Sequence, residues 1–120
     1  MRLDLFQGTL DMLILKALSW GPSHGYGVAR LIEDRTADAL AIEEGSLYPA
    51  LHRMTRKGWI RAEWGVSENN RRARFYQLTP AGRQQLAREA RTWDRFIEVV
   101  GRVMSHDARP VRQGGRDVAT

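Results

Sequence analysis

Ser46-Leu47-Tyr48-Pro49-Ala50-Leu51-His52-Arg53-Met54-Thr55-Arg56-Lys57 is the stretch whose reading decides the fold. Leu47, Leu51 and Met54 recur at helical spacing and point one way. Ser46 is suited to cap the start of this helix. Pro49 would then be its third residue, where a missing N–H breaks no intrahelical bond. Tyr48, His52, Arg53 and Arg56 fall on the other faces. Gly58 is a natural stop.

Beyond Gly58 the period changes. Over residues 59–66, Ile60, Ala62 and Trp64 alternate with Arg61 and Glu63, which is strand-like. Arg74-Phe75-Tyr76-Gln77-Leu78 reads as a second strand. Residues 67–73 between them are polar, with turn-forming Asn69 and Asn70 beside Arg71 and Arg72. This is a hairpin with a basic tip.

Thr79 then caps a last helix with Pro80 at its first position. It extends to about residue 105. Leu86, Ala90, Trp93, Ile97, Val100 and Met104 form a heptad seam. At ~1.5 Å per residue the helix spans roughly 39 Å, longer than the body before it. It is therefore predicted to project onto a partner. Phe96, Val99 and Val103 make a second apolar stripe beside the seam. Residues 106–120 lack periodicity and read as a disordered basic tail.

Two helices precede the deciding stretch. Leu10, Leu13, Ile14, Ala17 and Leu18 carry the first, over residues 8–19, and Met12 and Leu15 widen its apolar surface. So broad an apolar face suggests burial against more than its own domain. Gly21-Pro22 ends it. The second starts at Ser23-His24-Gly25, with His24 helping to cap it, and runs to about residue 38 on Val28, Leu31 and Ile32. Residues 41–45 are a connector.

Composition narrows the function. The 120 residues allow one modest core. With no cysteine there is no disulfide, thiolate metal site or thiol nucleophile. His24, His52 and His106 show no metal-ligand spacing, and no nucleophile elbow or phosphate-binding loop appears. Gly25-Tyr26-Gly27 opens a helix and is not a nucleotide cradle, and adjacent Glu43 and Glu44 do not make an acid–base pair. Neither a catalyst, a cofactor nor a metal is expected. No apolar run is long enough for a membrane span, and the start lacks a leader pattern, so the expected location is cytoplasmic. The formal net charge is +5, and 17 of the 19 basic residues are arginine. Arginine suits phosphate and guanine contacts.

Helix, helix, helix, strand, basic loop, strand, long helix is a winged helix-turn-helix order. The expected fold is mostly α with a small β-hairpin: a domain over residues 1–79, a dimerisation helix over 80–105 and the tail over 106–120. The third helix would enter a major groove and the hairpin would reach neighbouring phosphates or the minor groove. Arg53, Arg56, Arg71, Arg72 and Arg74 would converge on one surface, with Ser46, Tyr48 and His52 adding polar contacts. Two alternatives are a protein-interaction module that has lost DNA binding, disfavoured by the basic wing, and an RNA-binding winged helix. In a dimer, Leu10 and Ile14 of the first helix would join the seam residues at the interface.

Four strings also resemble the PadR family of transcriptional regulators. They are Gly8-Thr9-Leu10-Asp11-Met12-Leu13-Ile14-Leu15, His24-Gly25-Tyr26-Gly27, Glu43-Glu44-Gly45-Ser46-Leu47-Tyr48-Pro49-Ala50-Leu51 and Arg74-Phe75-Tyr76-Gln77-Leu78-Thr79-Pro80-Ala81-Gly82. The resemblance covers about residues 5–105. The single last helix is similar to the short subfamily, and Glu68-Asn69-Asn70-Arg71-Arg72 to a subgroup common in acidobacterial genomes. The resemblance implies a homodimeric repressor of a palindromic operator, with Tyr26, Ser46, Tyr48, Pro49 and His52 near DNA. It also implies that a flat aromatic or drug-like effector could sit between the last helices, near Trp93, Phe96 and Ile97.

Overall fold

A computed structural model describes residues 7–105. The elements are α1 (Gln7–Leu18), β1 (Ser23–His24), α2 (Gly25–Arg35), α3 (Glu44–Arg56), β2 (Ile60–Val66), β3 (Arg72–Leu78) and α4 (Pro80–Met104). The expected class, mostly α with a small hairpin, is what forms. The chain divides into two compact units, one up to Ala90 and one from Arg91.

In the first unit α1 packs on α2, α3 and β3. Ile14, Leu15, Leu18, Leu47, Leu51, Met54 and Ile60 are its fully buried centre. Leu10 is 5% and Ile14 0% exposed, so both are consumed by the chain's own core. This corrects the expectation that they face a second copy: three neighbours cover an unusually apolar α1. Leu86 of α4 also packs partly against this core.

The hairpin is part of a three-stranded antiparallel sheet in the order β1-β3-β2. Helical spacing assigns Ser23 and His24 to the start of a helix; instead they form the short β1, where Ser23 pairs with Tyr76 and His24 with Phe75. In the hairpin Ile60 faces Leu78, Ala62 faces Tyr76, Trp64 faces Arg74 and Val66 faces Arg72. These eight side chains share one face by strand alternation. Its base is buried at Ile60, Tyr76 and Leu78, and its outer end is exposed at Trp64, Val66, Arg72 and Arg74. The second strand starts earlier than expected, at Arg72, which leaves Ser67 to Arg71 as the tip. Asn70, at φ 59°, makes the left-handed step there, a conformation asparagine tolerates.

α2 stops at Arg35, short of residue 38, because Ala37 and Asp38 both take positive φ. α3 starts at Glu44, so Ser46 is not its cap. Glu43 is, in extended conformation and without a side-chain bond, and its carbonyl accepts from the N–H groups of Ser46 and Leu47. Pro49 therefore lies inside the helix. Its missing donor leaves the Gly45 carbonyl without an i+4 partner, and Gly45 is exposed, where water can satisfy it. Gly58, at φ 78°, ends α3. Its N–H donates to the Thr55 carbonyl and that of Trp59 to the Met54 carbonyl, the double closure of a Schellman end.

Thr79 welds the hairpin to α4. Its hydroxyl donates to the Gly58 carbonyl at 2.6 Å and accepts from the Gly82 N–H at 3.0 Å. In the second unit the helix continues with Trp93, Phe96, Ile97, Val99, Val100, Val103 and Met104 all exposed. Among the described residues no helix is long and apolar enough to cross a membrane. The tail expected over 106–120 lies outside the described residues.

Candidate nucleic-acid interface

A cleft of about 440 Å³ opens between the start of α2, the outer face of α3 and the inner face of the hairpin. Tyr26 enters it from α2, Tyr48 and His52 from α3, and Trp64, Arg71, Arg72 and Arg74 from the hairpin. Helical geometry explains the α3 pair, since residues four apart share a face. Gly45, Pro49, His52 and Arg56 are exposed along the same helix. Tyr26 is 66% exposed.

Tyr48 leans back against the start of α2. A side-chain carbon at Gly25 would meet its ring at 2.9 Å, so any larger residue there would push the Tyr48 ring out of this seat. Burial, then the neighbouring Glu44, pushes the Tyr48 hydroxyl above its ordinary value. It therefore stays protonated and able to donate.

His24 joins α2 to the wing. Its Nδ1 accepts from the Gly27 N–H at 3.0 Å, capping α2 as expected. In the neutral ring the proton is then on Nε2, which lies 3.3 Å from Glu68 Oε1 on the wing tip. The ring also meets Phe75 edge-on at 5.3 Å. A bond to its own backbone N–H, and then His24, hold the Glu68 carboxyl below its ordinary value. The tip is thus basic but carries one firmly ionised carboxylate.

Arg53 departs from its expected place. Helical spacing puts it on the outer side of α3, but it turns toward α1 and donates to Asp11 at 2.6 Å. Its side chain is 22% exposed and that of Asp11 11%. Arg56 remains on the outside. Ser46 is exposed in the first turn of α3, though not as its cap. Of the ten residues expected near DNA, the cleft collects Tyr26, Tyr48, His52, Arg71, Arg72 and Arg74.

A match to the model described as "Transcriptional regulator PadR-like family" spans residues 14–88, from α1 into α4. The chain belongs to the PadR-like family. A transcriptional regulator of Mycobacterium tuberculosis is 32% identical over 67% of this chain and 74% of its own length. An uncharacterised transposon protein of Streptomyces fradiae is 43% identical over 72% of this chain, but only 23% of that protein is covered. Among solved structures, a transcriptional regulator from Clostridium thermocellum has a TM-score of 0.73 and 29% identity, covering 80% of this chain and 93% of that one. A PadR family transcription regulator from Clostridium difficile has a TM-score of 0.65 and 29% identity, covering 81% and 98%.

Membership makes this PadR-like chain a winged-helix, DNA-binding regulator of transcription rather than an enzyme. Two residues of its cleft, Glu68 and Trp64, escape a reading of the sequence for DNA contacts. Glu68 could have been suspected as the acid in a basic loop. Trp64 could not, because alternation alone assigns it to the buried face.

Proposed function

We propose that this PadR-like protein is a homodimeric repressor that binds a palindromic duplex through α3 and the wing. One observation carries the reading: Tyr48 and His52 of α3 and Arg71, Arg72 and Arg74 of the wing line a single cleft. α3 offers its outer face to the major groove. The wing arginines meet the flanking backbone, with Tyr26, Ser46, Pro49 and Arg56 at the margins. Arg53 is held by Asp11 and has no part in the contact. A dimer doubles this surface about two half-sites one turn apart, ~34–36 Å. Occupying such a site near a promoter blocks transcription.

The dimer contact is assigned to Ala90, Trp93, Ile97, Val100 and Met104. The exposure of the last four supports it, since contiguous apolar surface on a helix marks an association site. Trp93 and Phe96, with ring centres 6.2 Å apart, together with Ile97, offer a platform for a flat aromatic effector that releases the protein from DNA.

Gel-shift binding to the gene's own upstream region, with sizing of the free protein, tests the core of this. A dimer that shifts the duplex at nanomolar concentration despite competitor supports it. With roughly eight phosphates engaged, affinity should fall about 10³- to 10⁵-fold between ~50 and ~200 mM salt. A salt-insensitive complex, or no complex, would turn the reading toward a protein partner.

A further inference from the structure

Trp64 stands on the cleft face of β2, directly across from Arg74, with Arg72 diagonal to it. It is 57% exposed, so a large apolar ring faces water at the outer end of the sheet. The guanidinium carbon of Arg72 lies 4.5 Å from a Trp64 ring centre and that of Arg74 5.6 Å. Both distances fall within the ~6 Å range of a cation–π contact. Neither arginine is paired with a carboxylate among the described residues.

We infer that Trp64 is a positioning residue for duplex DNA, holding Arg72 and Arg74 ready for backbone phosphates. The inference rests on the wing contact proposed above. An arginine on an exposed strand has many rotamers and loses most of them when it clamps a phosphate. A ring that already restricts the guanidinium removes part of that loss before DNA arrives. A guanidinium held near a ring by cation–π attraction keeps its planar fork of N–H donors, which remain able to donate to phosphate oxygens. One ring serves two arginines because strand alternation puts all three side chains on one face. The ring's contribution to binding therefore passes through the arginines and carries no sequence preference.

The test compares duplex affinity for the full-length protein and its Trp64→Ala, Trp64→Leu, Trp64→Phe and Arg72→Ala/Arg74→Ala variants, and for the last combined with Trp64→Ala. Two duplexes are used, the upstream region and a scrambled one. Trp64→Ala and Trp64→Leu should each weaken both about 5- to 30-fold, the range expected when two arginines must again bear part of their own side-chain ordering cost on binding. Trp64→Phe should stay within about 3-fold of the parent, because it keeps a ring. The combined variant should bind no more weakly than the arginine double variant, because a residue acting through others adds nothing once they are gone. Melting temperatures should be unchanged, and if Trp64→Ala does not fold, Trp64→Leu against Trp64→Phe answers the same question. A further full loss in the combined variant would mean the ring itself touches DNA and would overturn the inference. So would unchanged binding by Trp64→Leu while the arginine double variant binds weakly, which leaves the wing contact standing. An arginine double variant that binds normally would instead sink the wing contact, and the inference with it.

Discussion

Arg53 of α3 donates to the carboxylate of Asp11 of α1 at 2.6 Å, and this pair fastens α3 to the helix behind it. Both side chains are largely buried, so neither is available to a ligand. Burial pushes the Asp11 carboxyl above its ordinary value, and Arg53 works against that shift. Ionised Asp11 is therefore a cost that Arg53 offsets, and the pair fixes the seat of α3 more than it adds stability.

Arg53→Met should accordingly separate folding from binding. Removing the cation leaves Asp11 buried without compensation, at about 3 kcal/mol of stability near neutral pH, the low end for a broken buried pair because both side chains keep some exposure. The Asp11 pKa then rises further, so the native state of the variant holds its proton to higher pH than the unfolded chain does. Stability that depends on that proton is present at low pH and lost as the pH rises through the raised value. Acidification from neutrality should narrow the gap to the parent in chemical denaturation. Duplex affinity of the folded fraction should stay within a few-fold, whereas Arg56→Ala should lower it. Strong loss of DNA affinity by folded Arg53→Met would put Arg53 back on the contact face.

Arg71→Ala combined with Arg72→Ala should weaken binding to every duplex alike. Phosphate contacts position a protein without reading bases. The slope of log affinity against log salt should flatten by about 0.9 for each phosphate left without its arginine. Loss confined to the upstream duplex would instead make these arginines base readers.

The order of elements was legible because each rests on local chemistry: helical spacing at Leu47, Leu51 and Met54, alternation over Ile60 to Trp64, and the Thr79-Pro80 start of α4. The cleft was legible as far as face assignment goes, which is why Tyr48, His52 and the wing arginines meet there. Three features depended on distant partners. Ser23 and His24 form a strand only because β3 lies beside them. Arg53 turns inward only because Asp11 is there. Leu10 and Ile14 are buried only because α2, α3 and β3 together cover α1. The early start of α3 is different, since Ser46 is the better cap by type, yet the chain turns at Glu43.

Gly82→Ala should be among the most damaging single-methyl changes in the chain. Gly82 is buried in the first turn of α4, and a side-chain carbon there would collide with the Trp59 backbone carbonyl and reach the Leu78 side chain at 2.8 Å. A backbone carbonyl cannot swing aside as a side chain can. Either α4 lifts off the hairpin or the Thr79 cap breaks, for about 2–3 kcal/mol of overpacking. Thermal denaturation measures it, with Gly101→Ala as the control, because nothing lies within 4 Å of a carbon added there. Equal melting temperatures for the two variants would contradict the close approach of α4 to Trp59.

Ile97→Asp tests the assignment of the last helix to self-association. Ile97 is 51% exposed in the single chain, so a charge there costs the monomer little. In a dimer the same carboxylate would be buried in an apolar seam without a partner, at several kcal/mol per chain. The variant should therefore melt like the parent when dilute yet sediment as a monomer at micromolar concentration. Its gel shift should weaken steeply, because a lone winged helix engages one half-site and loses the second as a tethered neighbour. Glu98→Ala on the same helix is the comparison, since Glu98 pairs with Arg95 at 3.3 Å and Arg102 at 3.2 Å and is not a seam residue. That variant should remain dimeric. A stable Ile97→Asp dimer would remove Ile97 from the contact and leave the exposed apolar surface of residues 91–104 to another partner.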